Sequence, residues 1–374
     1  MINYKTFRIK QILFALLLGT ALLTGQLSMG QSPDRAIEFP DIPGYLTLKC
    51  DFHMHTVLSD GNVWHDIRVQ EALKDGLDAI AITDHIEYQP HRNDIPHPDR
   101  NRSYELAKKA AKGSELTVIN GVEITRDMPP GHANAIFVQD ANRLNQDDVM
   151  KVFREARRQD AFVFWNHPHW TAQQRDGIAF LDTMHRELIS EGLLQGVEIF
   201  NEDTYSDEAV KIALDHNLTM LGNSDIHGLI DWQFDLPGGG HRPVTLVFAT
   251  ENSPKAIKEA LMHQRTAVWF KNTLVGSDKY LVPLIQQSIV IERHGKSLVE
   301  KLFIQNNSDA DYIIENRSEY NLHNLADVFI LKAHEQTLVQ VKTVEKLDSY
   351  ILRFAVLNAI TAPGEHPEIE LVIE

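Results

Sequence analysis

Between about Lys49 and Phe270, short apolar runs alternate with stretches whose apolar residues recur at helical spacing. The runs at 47–52, 79–83, 116–123, 133–138, 161–166, 196–200, 218–223 and 244–249 predict strands. The stretches 66–75, 104–112, 147–159, 181–191, 207–216 and 254–263 predict helices between them. Such alternation argues for an α/β fold, a mostly parallel sheet wrapped by helices, open or closed into a barrel. Past Phe270 the pattern changes: 288–292, 301–306, 311–315, 327–332, 338–342, 350–356 and 369–373 read as strands with almost no helical periodicity. That predicts a small antiparallel sandwich. The loop 236–240, with one proline and three glycines, is a tightly turned or flexible element beside the last strand of the first region.

Composition adds constraints. A chain of 374 residues has room for two cores, and 43% apolar with 24% charged residues excludes a disordered or fibrous protein. Lys5, Arg8 and Lys10 precede an apolar run from Ile12 to Leu23, with Ser28 and Gly30 as a small-residue exit. This predicts a signal peptide over 1–30 and an exported, periplasmic or secreted protein. The run is short for a membrane span, and no later segment is long and apolar enough for one. Without residues 1–30, which hold three basic and no acidic residues, the formal charge moves from -16 to -19. Such a charge repels nucleic-acid backbone and anionic membrane, yet bound metal ions reverse the local field for a small phosphate ester. Cys50 is the only cysteine, which excludes an intrachain disulfide and a thiolate metal site.

The candidate chemistry sits where the strands end, the working face of an α/β barrel. Asp51-Phe-His53-Met-His55 closes the first run, and residues i and i+2 of a strand share a face, so both imidazoles can converge on one ion. Asp60, in Ser59-Asp60-Gly61, follows on the loop, and Asp225-Ile-His227 repeats the device after 218–223. Thr83-Asp84-His85, Gly121-Val-Glu123, Gly131-His132 and Asn166-His167-Pro168 add further imidazoles and a carboxylate. Each motif alone is more often a structural or surface feature than a ligand; six such strand-end or loop placements, Asp60 aside, fit chance poorly. Mixed imidazole and carboxylate donors suit zinc, manganese or iron. Nine candidates exceed the three or four that one catalytic zinc uses, so several ions sharing bridging carboxylates are expected.

Taken in this order, the motifs resemble those of the polymerase and histidinol phosphatase (PHP) superfamily over about residues 47–270. The resemblance implies a distorted (β/α)7 barrel, here 31–271, ahead of the C-terminal antiparallel β-sandwich that the strand pattern predicts at 272–374. It also implies hydrolysis of phosphate esters at a centre of two or three divalent metal ions. Carried over by motif, one ion takes His53, His55, Glu123 and Asp225; a second takes Glu123, His132 and His167; a third takes Asp60, His85 and His227. The export signal and C-terminal β-region further resemble a secreted branch that includes organophosphate phosphodiesterases. Water or hydroxide bridging two such ions has a lowered pKa and is held in line with phosphorus. Asp225 or His227 is then a candidate to pass a proton to the leaving alkoxide, and Arg126 to contact the substrate phosphate.

A small-molecule phosphate ester, mono- or diester, is thus the expected partner; nucleic acid is not, nor is membrane once the leader is cleaved, and an oligomer is compatible with the chain. The alternative is a metal hydrolase of an amide or lactone, but such barrels usually use a bridging carboxylated lysine, and no Lys sits at a matching strand end. Arg102 and Arg175 are weaker phosphate contacts than Arg126. Glu198 is either a support for a ligand, a reader of a substrate amine, or structural. His169 competes with His167. Trp170 and Trp232 are pocket-lining or packing residues, and His91, His97 and His241 read as solvated. Asp147 and Asp148 read as a helix start.

Overall fold

The computed structural model describes residues 35–374, so the expected leader at 1–30 lies outside the described residues. Strands β1 (Leu46–Asp51), β2 (Ala79–Ile82), β3 (Thr117–Ile124), β4 (Ala133–Ile136), β5 (Phe162–Trp165) and β6 (Gly196–Asn201) are neighbours in that order. A short β7 (Thr204–Tyr205) folds back on β6, and β8 (Thr219–Asn223) pairs in parallel with β6. The ring closes just past the end of β8. Met54 and Ile226 bridge in parallel, Asp225 N donates to His53 O at 2.8 Å, and His55 N donates to Ile226 O at 3.1 Å. The result is a distorted (β/α)7 barrel. Strands β2, β4 and β5 are buried along their whole length, as expected where a sheet is covered on both faces. The intervening helices begin at their own caps. Ser206 Oγ accepts from Ala209 N ahead of helix Asp207–His216, and Ser253 Oγ accepts from Ala256 N ahead of Pro254–Met262, with Pro254 in the first turn.

Two strands run against the expected parallel sense. β4 is antiparallel to both β3 and β5. The loop 125–132 is too short for the crossover of a dozen or more residues that a parallel neighbour needs. The run 244–249 forms β9 (Val244–Ala249), which lies antiparallel on the other edge of β1 rather than extending the ring. Only a one-turn helix, Ile230–Gln233, and a short 3-10 turn separate β8 from β9, so no packed crossover helix carries the chain back. β10 (Thr266–Phe270) and β11 (Thr273–Gly276) continue this antiparallel flank. The flank meets β8 closely. Thr245 Oγ1 lies 3.0 Å from both Gly222 N and Gly222 O, and a Cβ on Gly222 would fall 2.1 Å from Val268 Cγ1.

The C-terminal region is a sandwich of two four-stranded antiparallel sheets. β12 (Ile289–His294), β13 (Val299–Asn306), β17 (Gln336–Lys342) and β15 (Asn321–Leu322) make one. The other holds β16 (Val328–Leu331), β14 (Tyr312–Asn316), β18 (Tyr350–Val356) and β20 (Glu368–Ile373). Burial alternates along β20 and the first half of β18, so one face of that sheet supplies the core. β19 (Ala359–Ile360) instead pairs with β11 and ties the sandwich to the barrel sheet. Among the described residues no helix is long and apolar enough to cross a membrane.

Candidate metal centre

All nine expected ligands come together at one end of the barrel, and the reversed strand explains how. His53 and His55 follow β1, His85 follows β2, His167 follows β5, and Asp225 and His227 follow β8, while Glu123 lies near the end of β3. His132 precedes its strand, but because β4 runs backwards its start lies at the same end. Asp60 arrives on the loop after His55. Two of the nine, His167 (φ 28°) and Asp225 (φ 48°), hold left-handed backbone, which costs a non-glycine residue about 1–3 kcal/mol. Each is pinned: His167 N donates to Glu198 Oε2 at 2.8 Å and Asp225 N to His53 O at 2.8 Å.

The donor atoms face one another as ligands of a shared ion do. His55 Nε2 lies 2.9 Å from Asp225 Oδ1, 3.2 Å from His53 Nε2 and 3.4 Å from Glu123 Oε2. His53 Nε2 lies 3.1 Å from Asp225 Oδ1 and 3.6 Å from Glu123 Oε2. Tetrahedral bonds of about 2.0–2.1 Å place neighbouring ligand atoms about 3.3 Å apart, so this quartet fits an ion. Glu123 Oε2 is buried and, although His85 Nδ1 is 2.7 Å away, makes no hydrogen bond. A carboxylate oxygen ringed by ring nitrogens without aligned donors suits a metal ligand; an orphaned buried acceptor is otherwise costly. Asp60 Oδ1 and His132 Nδ1 are likewise buried and unbonded.

Around this quartet the sets overlap more than the motifs imply. Donor atoms cluster as His53, His55 and Asp225; as His85, Glu123 and His132; and as His55, Asp60, His85 and His227. His85 therefore serves two groups, with Nδ1 toward Glu123 and Nε2 3.4 Å from Asp60 Oδ2. His132 Nδ1 is 2.9 Å from Glu123 Oε1, and His167 Nε2 is 3.7 Å from the same oxygen and 4.0 Å from Asp225 Oδ2. His227 Nε2 is 3.3 Å from Asp60 Oδ1, and its ring stacks on His55 with centroids 4.2 Å apart.

Comparison with known proteins places this geometry. A solved two-domain protein from Bacteroides vulgatus, described as containing a predicted PHP-like metal-dependent phosphoesterase, superposes with a TM-score of 0.85 at 41% identity, over 92% of this chain and 100% of that one. The chain belongs to the PHP-like metal-dependent phosphoesterases. A candidate metal-dependent phosphoesterase from Bifidobacterium adolescentis matches at 19% identity over 51% of this chain and 90% of its own, with a TM-score of 0.38, too low to carry an argument. The C-terminal residues 288–372 match a family described as an Ig-like domain. No curated protein matches the chain.

The phosphoesterase surrounds its donors with buried groups that orient them. Glu198, wholly buried, accepts from His53 Nδ1 and Asn223 Nδ2 on one oxygen, both at 2.9 Å, and from His167 N and Asn201 Nδ2 on the other, both at 2.8 Å. A proton held on His53 Nδ1 leaves Nε2 as the free donor. Asn166 Nδ2 donates to Glu123 Oε1 at 2.9 Å. Asp84, adjacent to His85, turns away from the donors. It accepts from Thr56 N and Oγ1 at 2.6 Å, Ser59 Oγ at 2.7 Å, and Ser103 Oγ. Burial opposes its charge, but these bonds hold its carboxyl below the usual range, and they fix the loop that carries Asp60. Two buried arginines had no sequence signal. Arg242 spans Asp51 and Asp75, and Arg68 contacts the backbone of the site. Nothing in the sequence around either one distinguishes it from a surface residue.

The remaining candidates are placed as follows. Arg126 pairs with Glu87 Oε1 at 2.9 Å and donates to Asp147 O at 3.2 Å and to Gln146 O, so its guanidinium is largely committed to protein partners. His169 Nε2 bonds Thr204 Oγ1 at 2.7 Å, outside the donor groups. Trp170 borders the centre, its ring 5.1 Å from that of His167 and 5.6 Å from that of His132, whereas Trp232 is 81% exposed. Two histidines read as solvated are not. His97 is buried against its own loop, and His241 stacks on Trp269 at 3.6 Å, because the aromatic flank of β10 offers it a face. Asp148 caps helix Val149–Arg158 through Lys151 N.

Proposed function

We propose that the enzyme hydrolyses small-molecule phosphate esters, mono- or diesters, with two or three divalent ions held by His53, His55, Asp60, His85, Glu123, His132, His167, Asp225 and His227. The observation that carries this reading is the buried, unbonded Glu123 Oε2 at the meeting point of His53, His55 and His85. Glu123 also faces His132 through its other oxygen, so one carboxylate serves two donor groups, as a bridge must. The mixed donor set favours zinc, manganese or iron.

When bound, such ions supply Lewis acidity for the phosphoryl oxygens and a water of lowered pKa. The chain's own residues do the rest. Glu198, Asn166 and Asn201 keep the donors aimed, and Asp60 and His227, both partly exposed, form the open side where an ester can enter. His227 Nδ1 is held on Asp225 O at 2.8 Å, which leaves Nε2 to hold an ion or to pass a proton to the leaving group. Trp170 gives the rim an apolar wall beside His132 and His167.

Purified protein supplied with zinc, manganese or iron, assayed on nitrophenyl phosphate and on bis-nitrophenyl phosphate, tests the reading. Turnover of at least one ester is expected, and the ratio of the two rates assigns mono- or diesterase. Turnover of neither ester with any of these ions counts against it.

A further inference from the structure

We propose that Arg68 is a positioning residue that holds the two halves of the metal centre in register across the seam of the barrel. The inference rests on the reading of the site given above. His53 and His55 follow the first strand of the ring, and Asp225 and His227 follow the last. The donor groups His53–His55–Asp225 and His55–Asp60–His85–His227 therefore both straddle the place where the ring closes. Backbone pairing at that place is sparse, with one parallel bridge between Met54 and Ile226 and a few single bonds, Asn62 N to His227 O at 2.8 Å among them.

Arg68 stands on helix His65–Lys74 and is wholly buried. Its Nε donates to His55 O at 2.9 Å, on the first side of the seam. Its Nη2 donates to Ile226 O at 3.0 Å and its Nη1 to Gly228 O at 2.7 Å, the carbonyls that flank His227 on the second side. Glu71 anchors the guanidinium, with Oε2 2.8 Å from Nη1, and its other oxygen accepts from Ile230 N at 2.9 Å. One rigid fork thus ties the backbone at His55 to the backbone on both sides of His227, whose rings stack at 4.2 Å.

Stability alone is a poor account of this arrangement. Buried ion pairs are often replaced by apolar residues with no loss of stability, because desolvation offsets much of the attraction. A guanidinium offers fixed, planar donors to several acceptors at once, whereas lysine is a single flexible point charge. The geometry thus asks for what only arginine supplies, a fixed spacing between His55 and His227.

The test is metal binding by Arg68→Lys, measured by titrating metal-free folded protein with manganese or zinc alone. Circular dichroism checks the fold. Leu352→Ala, in the core of the sandwich, serves as a control for general destabilisation. Arg68→Lys is expected to bind ions about 10–100-fold more weakly than wild type, the usual cost of losing a group that supports ligands. It is also expected to lower kcat on whichever nitrophenyl ester the wild-type protein turns over, with less change in KM, while Leu352→Ala binds ions as wild type does. Should Arg68→Lys not fold, Glu71→Gln loosens the same anchor and is expected to weaken binding in the same direction. Wild-type affinity in the folded Arg68 variant, or in Glu71→Gln, overturns the proposal, as does an equal loss in Leu352→Ala. A wild-type protein that binds no ion overturns the reading of the site itself, and this inference with it.

Discussion

His53 Nδ1 and Glu198 Oε1 lie 2.9 Å apart in the closed interior of the barrel, and that contact decides which nitrogen of His53 faces the other donors. Glu198→Gln keeps the volume but removes the carboxylate that holds the Nδ1 proton. Metal affinity is expected to fall about 10–100-fold with the fold intact. Calorimetric titration with manganese checks this; unchanged affinity would show that His53 is oriented by something else.

Asp225 Oδ1 meets both His53 and His55, at 3.1 and 2.9 Å. Asp225→Asn should abolish turnover of nitrophenyl esters while the circular dichroism spectrum is unchanged. Full activity in this variant would remove Asp225 from the centre.

Metal uptake should depend on pH in a set direction. Burial disfavours a charge on His85, but the Glu123 and Asp60 carboxylates outweigh it and hold its imidazolium up to about 11. For His53 burial acts the same way, and Asp225, Glu198 and Glu123 raise it well above the ordinary range. The metal-free site therefore holds protons at neutral pH that an ion must displace. Affinity should rise with pH, and binding should release protons, seen as a buffer-dependent heat in calorimetry. Uptake without proton release would contradict these protonation states.

Arg242 lies buried between Asp51 and Asp75, with nitrogens 3.0 and 2.6 Å from their carboxylates. Removing a cation from such a site leaves buried charge uncompensated, so Arg242→Ala should cost about 3–5 kcal/mol in denaturant unfolding. A loss within about 0.5 kcal/mol, as for an ordinary surface residue, would refute a structural role.

The strand-end histidines and carboxylates were legible because most of the motifs are local: a strand, then an imidazole or carboxylate near its exit. The direction of a strand is not local. Nothing in the apolar run Ala133–Ile136 says that it runs backwards, although the short loop before it does once the site demands that His132 face the others. The run Val244–Ala249 looked like one more member of the alternating series, and only the lack of a crossover helix tells against it. His85 was assigned to one group by its motif, but its two ring nitrogens reach two. Arg68 and Arg242 left no trace in the pattern, since a buried arginine is recognised by what it touches in three dimensions.

The metal content of the purified protein, measured beside its rate on a nitrophenyl ester before and after chelation, tests the account most directly. Two or three divalent ions per chain are expected, with a rate that chelation abolishes and added manganese, zinc or iron restores. Less than one ion per chain after reconstitution, or a rate that survives removal of the ions, would contradict it.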